Sequence, residues 1–401
     1  MEAYIFDAVR SPRGKGSAKK GALRNVKPVR LLSQLYGALE ERNALDAKEI
    51  EAVILGCVGQ LGGQGADIAK VSTLYHGWGD HIEGMTVNTF CSSGMTAISL
   101  AAAKIASGMS DMVVAGGIEM LSQVPMFSDK GAWFADSEVA EKTGYTMMGV
   151  SADLIANIEG FKEEELNAYA AQSHKRAAAA TEKGYFKKSL IPIKDEKGNT
   201  ALAHDECIRP ETTLEGLNQL DPIFESYTSP SIRQKIKEKY ASIGELSHLH
   251  TIGNSPSMAD GACVLLIGSL EKGRALGLTP RAKIKAFDST ACEPIIMLLG
   301  GQYSAQNAMK KAGLGVSDIG LHNFAEAFSA SCLKYQRDLE VDPDRFNVNG
   351  GTMTMGHAQG ASGAMISTTL LEEMERRDEQ FGLASISGGA GLGAALLLER
   401  M

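Results

Sequence analysis

Val87–Ala97 reads VNTFCSSGMTA and is followed by an Ala-rich run, Ile98–Ala106. The pattern predicts a strand that ends in a tight turn and a helix that begins at about Cys91–Ser93, with its two serines as caps. A cysteine at such a junction faces unpaired backbone N–H groups and the helix dipole, which lower a thiol pKa and favour a nucleophilic thiolate. An inert, buried Cys91 is the alternative, and these residues alone leave both readings open.

A second distinctive segment lies far downstream. Asn347–Ala364 reads NVNGGTMTMGHAQGASGA and holds a single histidine, His357, among five glycines. Glycine permits backbone conformations and close approaches that other residues resist, so the segment predicts a loop that can crowd a ligand. A cysteine paired with a histidine distant in sequence is a recognised arrangement for covalent catalysis. Cys91 and His357 are therefore the candidate nucleophile and base.

Both segments resemble signature motifs of the thiolase family. Its nucleophile motif C-S-S-G-x-x-A corresponds to Cys91–Ala97, and its motif N-x-x-G-G-x-x-x-x-G-H-x-x-G-x-[ST]-G corresponds to Asn347–Gly363. The resemblance spans essentially the whole chain. Further family landmarks follow in order at Ala115–Glu119, Met148–Ala152, Ser173–Arg176, Asp205–Pro210, Gly253–Ser255 and Asp260–Ala262.

The resemblance implies an acyltransferase that cleaves a 3-ketoacyl-CoA with coenzyme A to acetyl-CoA and a shortened acyl-CoA, or runs the reverse condensation. The reaction would pass through an acyl-Cys91, with coenzyme A thioesters as substrates and no metal or prosthetic group. A homodimer or homotetramer is expected, as in the family. Two alternatives stay open: an enzyme with an altered second half-reaction, and a non-catalytic subunit that binds acyl-CoA.

The resemblance also implies further site residues. Backbone N–H groups of Gly389 and Gly391 are expected to form an oxyanion hole. Ser255 and Met148 are expected to contribute to the coenzyme A site.

Two positions depart from the family pattern. Ala325 stands in place of an asparagine that holds a catalytic water, and Ser387 in place of a second cysteine that acts as acid and base. A methyl group cannot hold the water, and a serine hydroxyl is a far weaker acid than a thiol. His322 is the candidate substitute, although a structural role at a strand end is the favoured interpretation of that residue.

Composition narrows the class of protein. The chain has 401 residues and a net charge of −8, which disfavours nucleic acid as a partner because phosphate backbones require a basic surface. Its six cysteines are scattered, so neither a disulfide framework nor a zinc site is expected. The sequence shows no targeting segment and no apolar run long enough to span a membrane, and a cytoplasmic location is expected.

Alternating strand and helix patterns predict an α/β protein with a largely parallel sheet. An internal repeat is also visible. In the first copy, the helix after Ser93-Gly94 leads to an apolar strand at Met112–Ala115. In the second copy, the helix after Ser362-Gly363 leads to an apolar strand at Leu383–Ile386. A Gly-Gly pair follows each strand. Duplicated halves would bring the candidate nucleophile and base to one pseudo-twofold centre.

The family fold implies two βαβαβαββ halves in a five-layer α/β/α/β/α core, with an added loop domain. We expect the first half over residues 1–120, completed by about 250–275, and the second half over 276–401. The loop domain is expected over 121–249, covering the site, with an amphipathic helix at Glu163–Lys183.

Overall fold

The computed structural model describes residues 2–401. Its strands are β1 (Ala3–Arg10), β2 (Gly14–Lys15), β3 (Ala52–Gly56), β4 (Glu83–Val87), β5 (Met112–Met120), β6 (Ile193–Lys194), β7 (Thr200–Leu202), β8 (Ala259–Ser269), β9 (Ala282–Ala291), β10 (Leu321–Phe324), β11 (Phe381–Ser387) and β12 (Leu392–Arg400). Its helices are α1 (Pro28–Asn43), α2 (Ile68–His76), α3 (Ser93–Ser107), α4 (Ala132–Ala135), α5 (Ser137–Thr143), α6 (Met148–Glu159), α7 (Glu163–Glu182), α8 (Leu214–Leu217), α9 (Pro230–Lys239), α10 (Leu270–Ala275), α11 (Gly300–Ala312), α12 (Ser329–Asp338), α13 (Thr352–Met355) and α14 (Gln359–Arg377).

One mixed sheet runs through the molecule in the order β10-β11-β12-β9-β1-β8-β5-β3-β4. β3 pairs parallel with β4 and β5, and β10 pairs parallel with β11, whereas the strands between them are antiparallel. The prediction of a largely parallel sheet is therefore wrong, because β8, β9 and β12 return antiparallel to their neighbours. The two halves meet at β1 and β9, where only Tyr4 with Lys283 and Ile5 with Ala282 are paired. Strands β5 and β8 are buried along their whole length, as their predominantly apolar sequences predict, and each also buries one acidic residue, Glu119 or Asp260.

Two helices lie between the two halves of the sheet. α3 contacts β3 and β5, α14 contacts β5, β8 and β11, and the two helices pack against each other. Their approach is close, because a β-carbon at Gly94 would lie only 2.6 Å from the Gly360 carbonyl oxygen. Glycine is therefore required at the crossing.

The outer faces of the sheet are also covered by helices. α1 and α2 pack on the first half and α11 on the second, which completes the expected five layers. The first half follows the order βαβαβαββ. The second follows the same order, with a single bridge between His322 and Phe346 in the place of its third strand. The predicted α/β class and duplicated architecture are confirmed.

The segment between β5 and β8 has helices as its main regular structure. It contains helices α4 to α9 and the small β6–β7 hairpin, and α7 matches the helix predicted at Glu163–Lys183 within one residue. We propose that residues 121–249 of this segment form one loop domain over the junction of the halves. None of the helices in the described part of the chain is both long and apolar enough to cross a membrane.

Candidate active site

Cys91 lies in the turn between β4 and α3. The turn is tight, since Phe90 adopts a left-handed conformation with φ of 51°, which is unusual for a bulky residue. The Ser92 hydroxyl donates to the Thr89 carbonyl at 2.6 Å, and the Ser93 hydroxyl donates to the Phe90 carbonyl at 2.5 Å. Ser92 is the N-cap residue of α3, as predicted, but neither serine hydroxyl makes a capping hydrogen bond, because both bind the preceding turn.

His357 approaches Cys91 from the other half of the molecule. Its Nε2 lies 3.1 Å from Cys91 Sγ, and its Nδ1 lies 2.8 Å from the Ser362 hydroxyl. The preceding Gly356 has φ of 117°, a conformation that side chains other than glycine rarely adopt. The His357 backbone N–H donates to the Ser257 carbonyl at 2.7 Å, which anchors the loop beside the start of β8.

The cysteine and the histidine are both uncharged near neutral pH. Burial raises the pKa of the Cys91 thiol to about 12, and the nearby Glu119 carboxylate raises it further. Burial lowers the pKa of His357 to about 4, and the positive charge of Arg13 adds to this effect. The thiol therefore donates to Nε2, and Nδ1–H donates to Ser362. Burial therefore acts on the Cys91 pKa in the opposite direction to the helix N-terminus, which by itself lowers a thiol pKa.

Glu119 is a feature that the sequence reasoning missed as part of the site. Its carboxylate accepts hydrogen bonds from the backbone N–H groups of Val58 at 2.9 Å, Gly59 at 3.0 Å and Gly360 at 3.0 Å. Gln64 Nε2 donates to it as well, at 3.2 Å. Glu119 thus ties the loop after β3 to the segment that follows His357. An acidic residue near the end of a fully apolar strand was the available signal.

A cavity of about 480 Å³ opens onto the cysteine. Lys15 and Arg209 provide two positive charges in its lining, while the rest of the wall is largely apolar. The sequence-predicted residues that line it are Cys91, Met148, Ser255, His357, Ser387 and Gly389.

Three other sequence candidates lie outside this lining. Gly391 accepts a hydrogen bond from the Cys292 N–H at 2.8 Å and packs against that residue. Ala325 is buried in the apolar cluster between the halves of the sheet, so its position offers no polar side-chain atom. His322 is buried in β10, with Nδ1 3.1 Å from the Tyr335 hydroxyl.

Ser387 lines the cavity, but its hydroxyl is already engaged. It accepts from the Gly301 backbone N–H at 2.9 Å and donates to the Leu298 carbonyl at 2.7 Å. The only proton of the hydroxyl thus points at a backbone oxygen. The hydroxyl joins the end of β11 to the start of α11.

Comparisons with known proteins agree with this arrangement. The family profile described as "Thiolase, N-terminal domain" matches residues 3–229, and "Thiolase, C-terminal domain" matches residues 278–400. The chain is 38% identical over 410 aligned positions to a 3-ketoacyl-CoA thiolase of Cronobacter sakazakii, with both chains fully covered. It is 37% identical over 409 positions to that of Aeromonas hydrophila, again with full coverage of both.

A solved structure is similar over the same extent. The acetyl-CoA acetyltransferase of Bacillus anthracis superposes with a TM-score of 0.86 at 31% identity, covering 100% of this chain and 99% of that one. Matches of this length and identity establish the family. The chain belongs to the thiolase family and is an acyltransferase of that family.

Proposed function

We propose that the enzyme cleaves a 3-ketoacyl-CoA with coenzyme A to acetyl-CoA and a shortened acyl-CoA, or catalyses the reverse condensation. The observation that carries the proposal is the 3.1 Å contact between Cys91 Sγ and His357 Nε2 at the wall of a cavity that opens to the surface. The two side chains come from different halves of the chain. The names of the relatives support the same reaction.

The first half-reaction follows from the uncharged pair. As Sγ attacks the 3-keto carbon, Nε2 takes the thiol proton, and Ser362 steadies the resulting imidazolium by accepting from Nδ1–H. The tetrahedral intermediate collapses with cleavage of the bond between C2 and C3. The acyl group stays on Cys91, and acetyl-CoA leaves as its enolate, which takes up at C2 the proton that Nε2 accepted, so that His357 is neutral again. We propose that the backbone N–H of Gly389, a residue that lines the same cavity, stabilises the developing oxyanion.

Coenzyme A is proposed to occupy the large cavity. Lys15 and Arg209 can oppose its phosphates, although the whole chain carries a net charge of −8. The apolar wall suits the pantetheine arm, with Met148 and Ser255 close to it. The proposed chemistry needs only side chains and backbone donors, so we propose no prosthetic group.

A second candidate function rests on the hydrogen bonds of Ser387. The Ser387 proton is held by the Leu298 carbonyl and Ala325 has no polar side-chain atom, so the site lacks a second side chain beside His357 to deprotonate the thiol of coenzyme A in the second half-reaction. An enzyme that forms acyl-Cys91 and then transfers the acyl group to another acceptor, or to water, fits this observation.

Intact-mass spectrometry separates the two functions. Incubation with a 3-ketoacyl-CoA should add one acyl mass, which Cys91→Ala abolishes and Cys292→Ala, at a cysteine outside the cavity lining, retains. Removal of the adduct by added coenzyme A supports thiolysis, whereas loss in buffer alone supports hydrolysis. An equal adduct on Cys91→Ala would contradict both.

We further propose a homodimer or homotetramer in the cytoplasm. The described cysteines are all free, which fits a reducing compartment. Strand β4 ends the sheet and leaves one edge unpaired, and Met85 on it is exposed, as expected of a strand that a second copy can cover. Light scattering after size exclusion measures the assembly, and a monomer at micromolar concentration would contradict it.

A further inference from the structure

A second, smaller cavity of about 50 Å³ also opens at Cys91. Residues of the loop that follows β5 form part of its wall, and five residues line both cavities: Cys91, Met126, Met148, Gln359 and Gly389. The two cavities therefore meet around the sulfur of Cys91. A reacting carbonyl carbon at the sulfur can extend one substituent into each of them.

The two cavities differ in charge. The large one contains Lys15 and Arg209, whereas the small one has no lysine, arginine or histidine in its wall. Its acidic residues are Asp129, which is exposed, and Glu119, whose oxygens are taken by backbone and amide donors. Negative charge without a cation disfavours phosphate and carboxylate groups. The small cavity suits an uncharged, apolar substituent.

Four aromatic side chains line part of its wall: Phe90, Phe127, Trp133 and Phe134. Phe90 lies 5.2 Å from Trp133 between ring centroids, and Phe134 lies 4.6 Å from Phe127. Tyr145 is not part of the wall, but its ring contacts Trp133 at 4.9 Å and Phe134 at 6.3 Å. Phe90 precedes the nucleophile in the chain, whereas Phe127 and Phe134 belong to the segment that follows β5.

We propose that this aromatic pocket holds the acyl chain on Cys91 and that Phe127 and Phe134 limit its length. The inference rests on the proposed acyl-Cys91 chemistry. A cavity must offer about 10–15 Å³ to hold one water, which has one non-hydrogen atom. By the same measure, the cavity of about 50 Å³ accommodates about four non-hydrogen atoms of the acyl chain beyond its carbonyl carbon. The enzyme is then selective for short 3-ketoacyl-CoAs, of about six to eight carbons, over long-chain ones.

The test is the rate of Cys91 acylation across straight-chain 3-ketoacyl-CoAs of increasing length. One methylene in an apolar pocket changes kcat/KM by about 10–200-fold. We expect the native enzyme to lose at least about 10-fold from the optimum to a chain four carbons longer. Phe134→Ala removes part of the Phe127–Phe134 pair and should move the optimum to longer chains, and Phe134→Leu should move it less in the same direction.

Phe161→Ala is the matched control. Phe161 belongs to the same proposed loop domain but stacks on Arg337, outside the pocket, so the chain-length profile should stay native. Phe134 is only half-buried, so its replacement should not unfold the protein. If Phe134→Ala nevertheless fails to fold, Phe134→Leu still tests the pocket.

The outcomes are distinguishable. A native enzyme that is acylated equally by short and long chains overturns the assignment of the pocket but leaves the proposed function intact. A profile that Phe134→Ala and Phe134→Leu leave unchanged overturns it as well. No acylation of Cys91 at any chain length overturns the proposed function, and the pocket assignment with it.

Discussion

Replacing Ser387 with alanine tests whether its hydroxyl has a structural role or a catalytic role. The Ser387 side chain is buried and joins the Gly301 N–H, at 2.9 Å, to the Leu298 carbonyl, at 2.7 Å. Alanine leaves both backbone groups unpaired, and each buried unpaired group costs about 1–3 kcal/mol. Ser387→Ala is therefore expected to lower the free energy of unfolding by about 2 kcal/mol or more.

The expected effect on turnover is small. The Ser387 proton is held by a backbone oxygen, so we expect CoA-dependent cleavage to change by less than about 3-fold, whereas a positioned acid or base contributes about 10²–10⁴-fold. Urea unfolding followed by tryptophan fluorescence measures stability, and chromatography of the CoA esters measures initial rates. Ser304→Ala is the control, because that buried hydroxyl has no hydrogen-bond partner among the described residues and its loss should not destabilise.

The opposite pattern would refute the reasoning. If Ser387→Ala unfolds like the native enzyme but loses about 100-fold or more in cleavage, the hydroxyl serves as the acid or base of the second half-reaction. The family's second cysteine would then have been replaced by a working serine.

Three further predictions concern the charges around the site. Glu119→Gln removes a negative charge near Cys91, so the pKa of the Cys91 thiol should fall. Alkylation of Cys91 by iodoacetamide at pH 8 should then become faster, and an unchanged rate would contradict an effect of Glu119 on the thiol. Burial lowers the pKa of His357 to about 4, so the imidazole is neutral above that pH. Protonation of His357 should therefore reduce the rate of Cys91 acylation only as the pH falls through about 4. A loss of rate centred near the ordinary histidine pKa of about 6.5 would contradict this prediction. Asp205→Asn deprives two buried arginines of their carboxylate and should lower the free energy of unfolding in urea by about 3–5 kcal/mol, with Asp80→Asn, at an exposed site, as the control.

Local patterns in the sequence were sufficient for the architecture. Apolar runs such as Met112–Ala115 predict buried strands, and the Ala-rich run after Cys91 predicts a helix, because side-chain periodicity and propensity act over a few residues. The repeated strand and Gly-Gly pattern predicted two halves, which the sheet confirms. Motif spacing singled out Cys91 and His357, which the structure brings within 3.1 Å of each other.

The electrostatics and the shape of the site depend on contacts between segments distant in sequence. A helix N-terminus predicts a lowered thiol pKa, but burial by the second half and the approach of Glu119 reverse the sign at Cys91. The sequence indicates a free hydroxyl at Ser387, but in the structure this hydroxyl accepts from the Gly301 N–H and donates to the Leu298 carbonyl. The aromatic pocket likewise forms only in three dimensions. Desolvation and hydrogen-bond pairing are set by neighbours that no local pattern specifies, and so the tertiary structure alone decided them.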